Sequence, residues 1–126
     1  MKLFLLMNGG HSPKGKLIQD LSISFASYDL ERLEPFLAED ITWTLIGDTP
    51  IKGKANFLAA LGEMMGNTAA ELQIHQIVTH GKEGAVYGEM IMENGDRFAF
   101  ADFYVFSSTR SDLVKSISSF VIQKTK

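Results

Sequence analysis

Asp102 stands in the middle of an aromatic row. In FAFADFYVF, residues 98–106, strand alternation puts Phe98, Phe100, Asp102, Tyr104 and Phe106 on one side and Ala99, Ala101, Phe103 and Val105 on the other. A buried carboxylate without a partner is costly, so this residue needs a reason. Two reasons are open. Asp102 either faces a ligand, kept neutral by an apolar surrounding so that it acts as an acid or hydrogen-bond donor with Tyr104 assisting, or it is a structural acid satisfied by Tyr104, a serine or backbone amides.

Other residues with chemistry are thinly spread. His80 ends a strand just before Gly81, in phase with Val78 and Ile74, and reads as a solvent-facing or turn-capping histidine, because a catalytic base needs a positioned partner. His75 lies five positions away and faces the other side of a regular strand, so the two share no metal without a bulge. Ser118, His80 and Asp102 can be written as a triad, but no nucleophile elbow surrounds the serine. The glycines of GKEG (81–84) and NGG (8–10) mark turns and not a phosphate cradle. No metal and no cofactor are expected.

Composition narrows the class. The chain has 126 residues, 45% apolar and 21% charged, which suits one domain with one core. A net charge of −3 without any Lys/Arg-rich run argues against nucleic acid as a partner. With no cysteine there is no disulfide framework or thiolate site, which fits a cytoplasmic protein. The apolar run Leu3 to Met7 is too short for a signal segment or a membrane span, so no membrane partner is expected, and Met7 offers an alternative start.

The elements that must position Asp102 follow a helices-first order. Ser12 as N-cap and Pro13 at the first helical position start a helix carrying Leu17, Leu21, Ser24, Phe25 and Tyr28. Asp29 caps a shorter helix with Leu30, Leu33 and Phe36. ITWTLI (41–46) alternates as a strand, GDTP turns, and KANFLAALGEMM (54–65) returns to helical spacing until Gly66-Asn67. Four long strands follow: 70–80, 84–94, 96–108 and 112–124, with Asn94-Gly95 as a hairpin signal. Helices first and antiparallel strands after is an α+β pattern.

This order, with PIKGKANFLAAL and the closing pair DFYVF…DLVKSISSFVI, resembles the nuclear transport factor 2-like superfamily and its SnoaL-like branch over about residues 12–124. The resemblance implies a cone-shaped, strongly curved antiparallel sheet wrapped around N-terminal helices, a cystatin-like architecture with a pocket inside. Residues 12–126 then form the single domain, and residues 1–11 an extension, disordered or packed on an edge. Ketosteroid isomerase belongs to this superfamily, and its oxyanion-hole acid matches Asp102. Its catalytic base falls on Leu45 and its tyrosine on Leu21, so two of its three groups are absent. The carboxylate that limonene-epoxide hydrolase carries on its last strand falls on Ser118, leaving SnoaL-type polyketide cyclases as the nearest enzymatic option.

With Asp102 inward, the family register brings Trp43 and Leu45 inward on the first strand and Val86, Gly88, Met90 and Met92 on the strand over 84–94. The last strand contributes Val114, Ser116, Ser118 and Phe120. The expected ligand-binding lining is therefore Trp43, Leu45, Gly88, Met90, Met92 and Phe100, with Tyr104, Ser116, Ser118 and Phe120. Gly88, Ser116 and Ser118 are small where a filled core wants Leu or Ile, which leaves room beside Trp43 and Asp102. The opposite face, with Ile77, Tyr87, Ile91, Phe103, Val105, Ile117 and Val121, is too apolar for water and predicts a homodimer. The reading is a binder of a small neutral apolar molecule. Its alternative is an isomerase, cyclase or hydratase using Asp102.

Overall fold

Helix α1 (Pro13–Ala26) begins where its chemistry dictates. The Ser12 hydroxyl accepts the Gly15 N–H at 2.9 Å and Pro13 occupies the first turn, where a missing N–H costs nothing. Its buried stripe, Gly15, Ile18, Leu21, Ser22 and Ala26, follows the helical period and lies against the sheet. Asp29 accepts the Arg32 N–H at 3.3 Å and caps the single-turn α2 (Leu30–Leu33), which runs into a 3-10 turn at Glu34–Phe36. Between the two helices Tyr28 takes φ of 54°, an unusual conformation for a bulky side chain.

The computed structural model describes residues 1–5, 12–66 and 68–124. After β1 (Lys2–Leu5) and the helices come β2 (Leu37–Leu45), β3 (Ile51–Lys52) and α3 (Lys54–Glu63). Four long strands complete the chain: β4 (Ala69–His80), β5 (Glu83–Met92), β6 (Arg97–Phe106) and β7 (Val114–Gln123). They form one seven-stranded sheet in the order β1-β4-β5-β6-β7-β2-β3. Its centre, β4 to β7, is antiparallel, and β1 on β4 and β2 on β7 are parallel, so the sheet is mixed where full antiparallel pairing was expected. Of the N-terminal extension, Lys2–Leu5 forms an edge strand; Met7 and the rest of 6–11 lie outside the described residues, as does Asn67 at the expected end of α3.

Two of the sheet's register shifts overturn the facing that alternation predicts. In β4, Ile74 pairs with Gly88 but Gln76 pairs with Tyr87, so His75 is the extra residue and the phase flips after it. Ile77 therefore turns inward opposite buried Val86, and Val78 and His80 turn outward. In β7, Ser116 pairs with Val105 but Val114 pairs with Phe106, leaving Lys115 as the extra residue. Its ammonium meets Asp40 at 2.5 Å on the surface. Val114 stays buried, and beyond the bulge Ile117, Ser119 and Val121 take the inner face while Ser116, Ser118 and Phe120 take the outer one. This reverses the facing expected for β7 and moves Ile77, Ile117 and Val121 out of the expected outer patch.

The core sits between the concave face and the helices, where Ile18, Leu33, Ile41, Phe57, Ile74 and Phe106 are almost fully buried. No helix among the described residues is long and apolar enough to cross a membrane.

Candidate functional site

Between α1, α3 and the sheet lies a cavity of about 260 Å3. From the sheet, β2 supplies Trp43 and Leu45, β5 supplies Met90 and Met92, and β6 supplies Phe100 and Asp102. These six expected residues stand together on its wall. Strand β7 adds Ile117, Ser119 and Val121, and β4 adds Leu72. The helical side consists of Ser22, Phe25 and Ala26 of α1, Tyr28 just after it, and Leu61 and Met64 of α3 with its end. Met64 and Val121 are 40% and 44% exposed, whereas Trp43 and Ser119 are 7% and 6% exposed, so the former pair marks the mouth and the latter the floor.

The other expected lining residues lie elsewhere. Ser116, Ser118 and Phe120 are on the outer face because of the Lys115 bulge. Gly88 leaves no space for a ligand. A Cβ built there would collide with the Gln73 carbonyl oxygen, so the missing side chain accommodates the backbone of the β4 bulge instead. Tyr104 is 1% exposed and sits behind the wall. The triad of Ser118, His80 and Asp102 does not assemble, since Ser118 and His80 turn outward and Asp102 inward. Among the described residues no three His, Cys, Asp or Glu side chains could hold a metal.

The polar floor is one hydrogen bond set beside a carboxyl. Trp43 is fixed by its tilted stack on Phe57, with centroids 4.9 Å apart, and donates its indole N–H to Ser119 Oγ at 3.0 Å. Ser119 lies directly opposite Asp102 across β6 and β7. A serine hydroxyl has one proton, and with Trp43 donating to its oxygen that proton is free for the carboxyl. Asp102 keeps accessible surface although protein surrounds it, because that surface faces the cavity.

Burial pushes the Asp102 pKa up to about 6, and the hydrogen bond from Ser119 opposes the shift. Burial also raises Tyr28. Tyr104 is raised further by burial and by the charge of Asp102, with Ser22 opposing; yet its hydroxyl finds no partner in hydrogen-bond geometry, so Ser22 is a neighbour and not a full acceptor. At neutral pH the carboxyl is therefore mostly ionised and oriented by Ser119, where a neutral donor was expected. It can accept a hydrogen bond or a proton from a bound molecule.

The positions that alternation missed had partial signals. In VKSISSFVIQ, Lys115 stands in phase with Ile117, Ser119 and Val121, and a lysine leading an otherwise inward row marks a break in that row. Ser22 and Tyr28 share the helical stripe of Leu21 and Phe25. Their place on the cavity wall depends on how α1 crosses the sheet, which no local spacing encodes.

Several solved structures share this architecture. One is an NTF2-like protein of unknown function from Cytophaga hutchinsonii, with TM-score 0.66, 21% identity, and coverage of 85% of this chain and 97% of that one. Another is an LEH-like epoxide hydrolase from M. tuberculosis, with TM-score 0.71, 14% identity, and coverage of 85% and 76%. A third, described as a candidate SnoaL-like polyketide cyclase from Shewanella denitrificans, has TM-score 0.74, 12% identity, and coverage of 88% and 92%. At these identities the likeness concerns the fold. No curated protein matches the chain in sequence. The model of the SnoaL-like domain matches residues 19–115, which takes in the C-terminal half of α1, the whole of α2 and α3, and every wall residue but three of β7. The chain belongs to the SnoaL-like domain family.

Proposed function

We propose that the protein binds a small neutral apolar molecule in this cavity, with one oxygen of that molecule against Asp102. The observation that carries the reading is a single carboxyl in a wall of aromatic, aliphatic and thioether groups, with Tyr28 the one other titratable side chain on that wall among the described residues. Acid–base turnover of a substrate usually needs a second proton-handling group or an oxyanion donor, and the wall offers only that phenol. No Lys or Arg lines the cavity among the described residues, so an anion would meet a carboxylate without a counter-charge. The absence of cysteine suits a reducing compartment, and we read the protein as cytoplasmic.

A thermal-shift panel of neutral aromatic or terpenoid alcohols and ketones, set against anionic metabolites, tests the reading. A neutral ligand at saturating concentration is expected to raise Tm by about 5 °C. Stabilisation by anions alone would contradict it.

A second reading, an isomerase, cyclase or hydratase with Asp102 as acid or hydrogen-bond donor, is favoured by the pKa of about 6, which lies where a general acid or base works best. Turnover of any panel compound that Asp102→Asn abolishes would replace the first reading with this one.

We further infer a homodimer through the outer sheet face. Val78, Tyr87, Phe103, Phe120 and Ile122 are between 42% and 68% exposed there, with Phe103 and Phe120 in edge contact at 5.9 Å. Such a patch is unusual on a monomer, and a two-fold axis lets one self-complementary surface cover itself. Light scattering at micromolar concentration is expected to give twice the chain mass, and Phe120→Glu to halve it. A monomeric parent protein would contradict this.

A further inference from the structure

The wall of the cavity is unbalanced in its hydrogen bonding. The Trp43 N–H is spent on Ser119 and the single Ser22 proton on the Ile18 carbonyl at 2.8 Å, while the Ser119 hydroxyl stands opposite Asp102, whose carboxyl draws its proton. Among the described residues only the Tyr28 phenol is left as a donor on the wall. The unspent capacity is otherwise for accepting: the Asp102 carboxylate, the Ser22 oxygen and three methionine thioethers. The donor chain from the floor runs towards Asp102 and stops there, so the missing member is a donor supplied from the cavity. The size is limited too. A cavity of 150 Å3 holds benzene, so 260 Å3 holds on the order of ten non-hydrogen atoms.

We infer that the site selects a neutral ring alcohol or phenol of that size, whose hydroxyl donates to Asp102, over the corresponding ketone and over a four-ring skeleton. This rests on the binding reading above and narrows it. A ketone oxygen placed at the same point faces carboxylate lone pairs, and Asp102 donates to it only once the carboxyl takes up a proton. Since Asp102 titrates near 6, that happens on the acid side of neutrality. The preference for the alcohol is therefore a property of neutral and basic pH, and it narrows as pH falls to 5.

Calorimetric titration of the full chain with borneol, camphor and testosterone separates the two levels. Borneol and camphor share a skeleton and differ in a hydroxyl against a carbonyl; testosterone supplies the larger skeleton. At pH 7.5 borneol is expected to bind about tenfold tighter than camphor, as a hydrogen bond to a charged acceptor allows, with the ratio falling at pH 5. Asp102→Asn, whose amide both donates and accepts, is expected to bring the ratio near one. Trp43 is the single tryptophan, so a change in its emission on binding places the ligand at this floor. Camphor binding as tightly as borneol at pH 7.5 overturns the donor rule, and testosterone binding as tightly overturns the size rule, both with the binding reading intact. If none of the three alters Trp43 emission and the neutral panel gives no thermal shift, the binding reading fails and this inference with it.

Discussion

Asp102→Asn is expected to stabilise the protein by about 2 kcal/mol at pH 7.5 and to leave it unchanged, or slightly weaker, at pH 4. The unfolded chain releases this proton near 3.8 and the folded protein near 6. Below 3.8 both states hold it. Between the two values the folded protein keeps a proton that the unfolded chain has lost, so stability falls as pH rises through the window, and the full penalty is present above 6. Two pH units correspond to about 3 kcal/mol, of which the amide returns about 1 because its N–H groups find few acceptors in the floor. Asp40 and Glu89 act in the opposite sense, since hydrogen bonds from Lys115 and Lys124 hold them below their usual range and their contribution is lost as pH falls. Both are present in parent and variant, so the difference between two urea melts isolates Asp102. Equal losses at both pH values would make Asp102 a structural acid and remove it from the site.

Gly88→Ala is expected to cost about 3 kcal/mol or more, or to prevent folding, because the added methyl meets backbone of β4 that cannot step aside without undoing the His75 bulge. Gly62→Ala is the control. A Cβ there meets nothing within 4 Å, and the position is helical, so the change should be neutral or stabilise by up to about 1 kcal/mol. A parent-like melt for Gly88→Ala would mean that the two strands do not approach at this point, and the assignment of Ile77 and Val78 to their faces would fall with it.

These two residues also mark what a sequence can carry. Caps and turns are local, so Ser12-Pro13, Asp29 and Asn94-Gly95 announce elements that the structure contains; the Asn94 side chain indeed accepts the Asp96 N–H at 3.0 Å in the hairpin. The facing of β6 is legible because no bulge interrupts its pairing from Phe98 to Val105. A bulge is a relation between two strands, and alternation counted along one strand misses it. That is why His75 and Lys115 reverse the expected facing of half of β4 and most of β7, and why Gly88 reads as empty space when it is a contact. The apolar floor around Asp102 follows from β6 and β2, whereas Ser119, its closest polar companion, emerges only once the register is known.

Asp102 opens into an apolar cavity, and the proposal is that a neutral molecule fills it. The carboxyl carbon-13 resonance of Asp102, followed by NMR from pH 3 to pH 9 with and without saturating borneol, addresses that claim at the atom concerned. A midpoint near 6 is expected in the free protein, and a displaced resonance when borneol is present. A midpoint near 3.8 that borneol leaves untouched would place the carboxyl in bulk water and rule out a ligand held at Asp102.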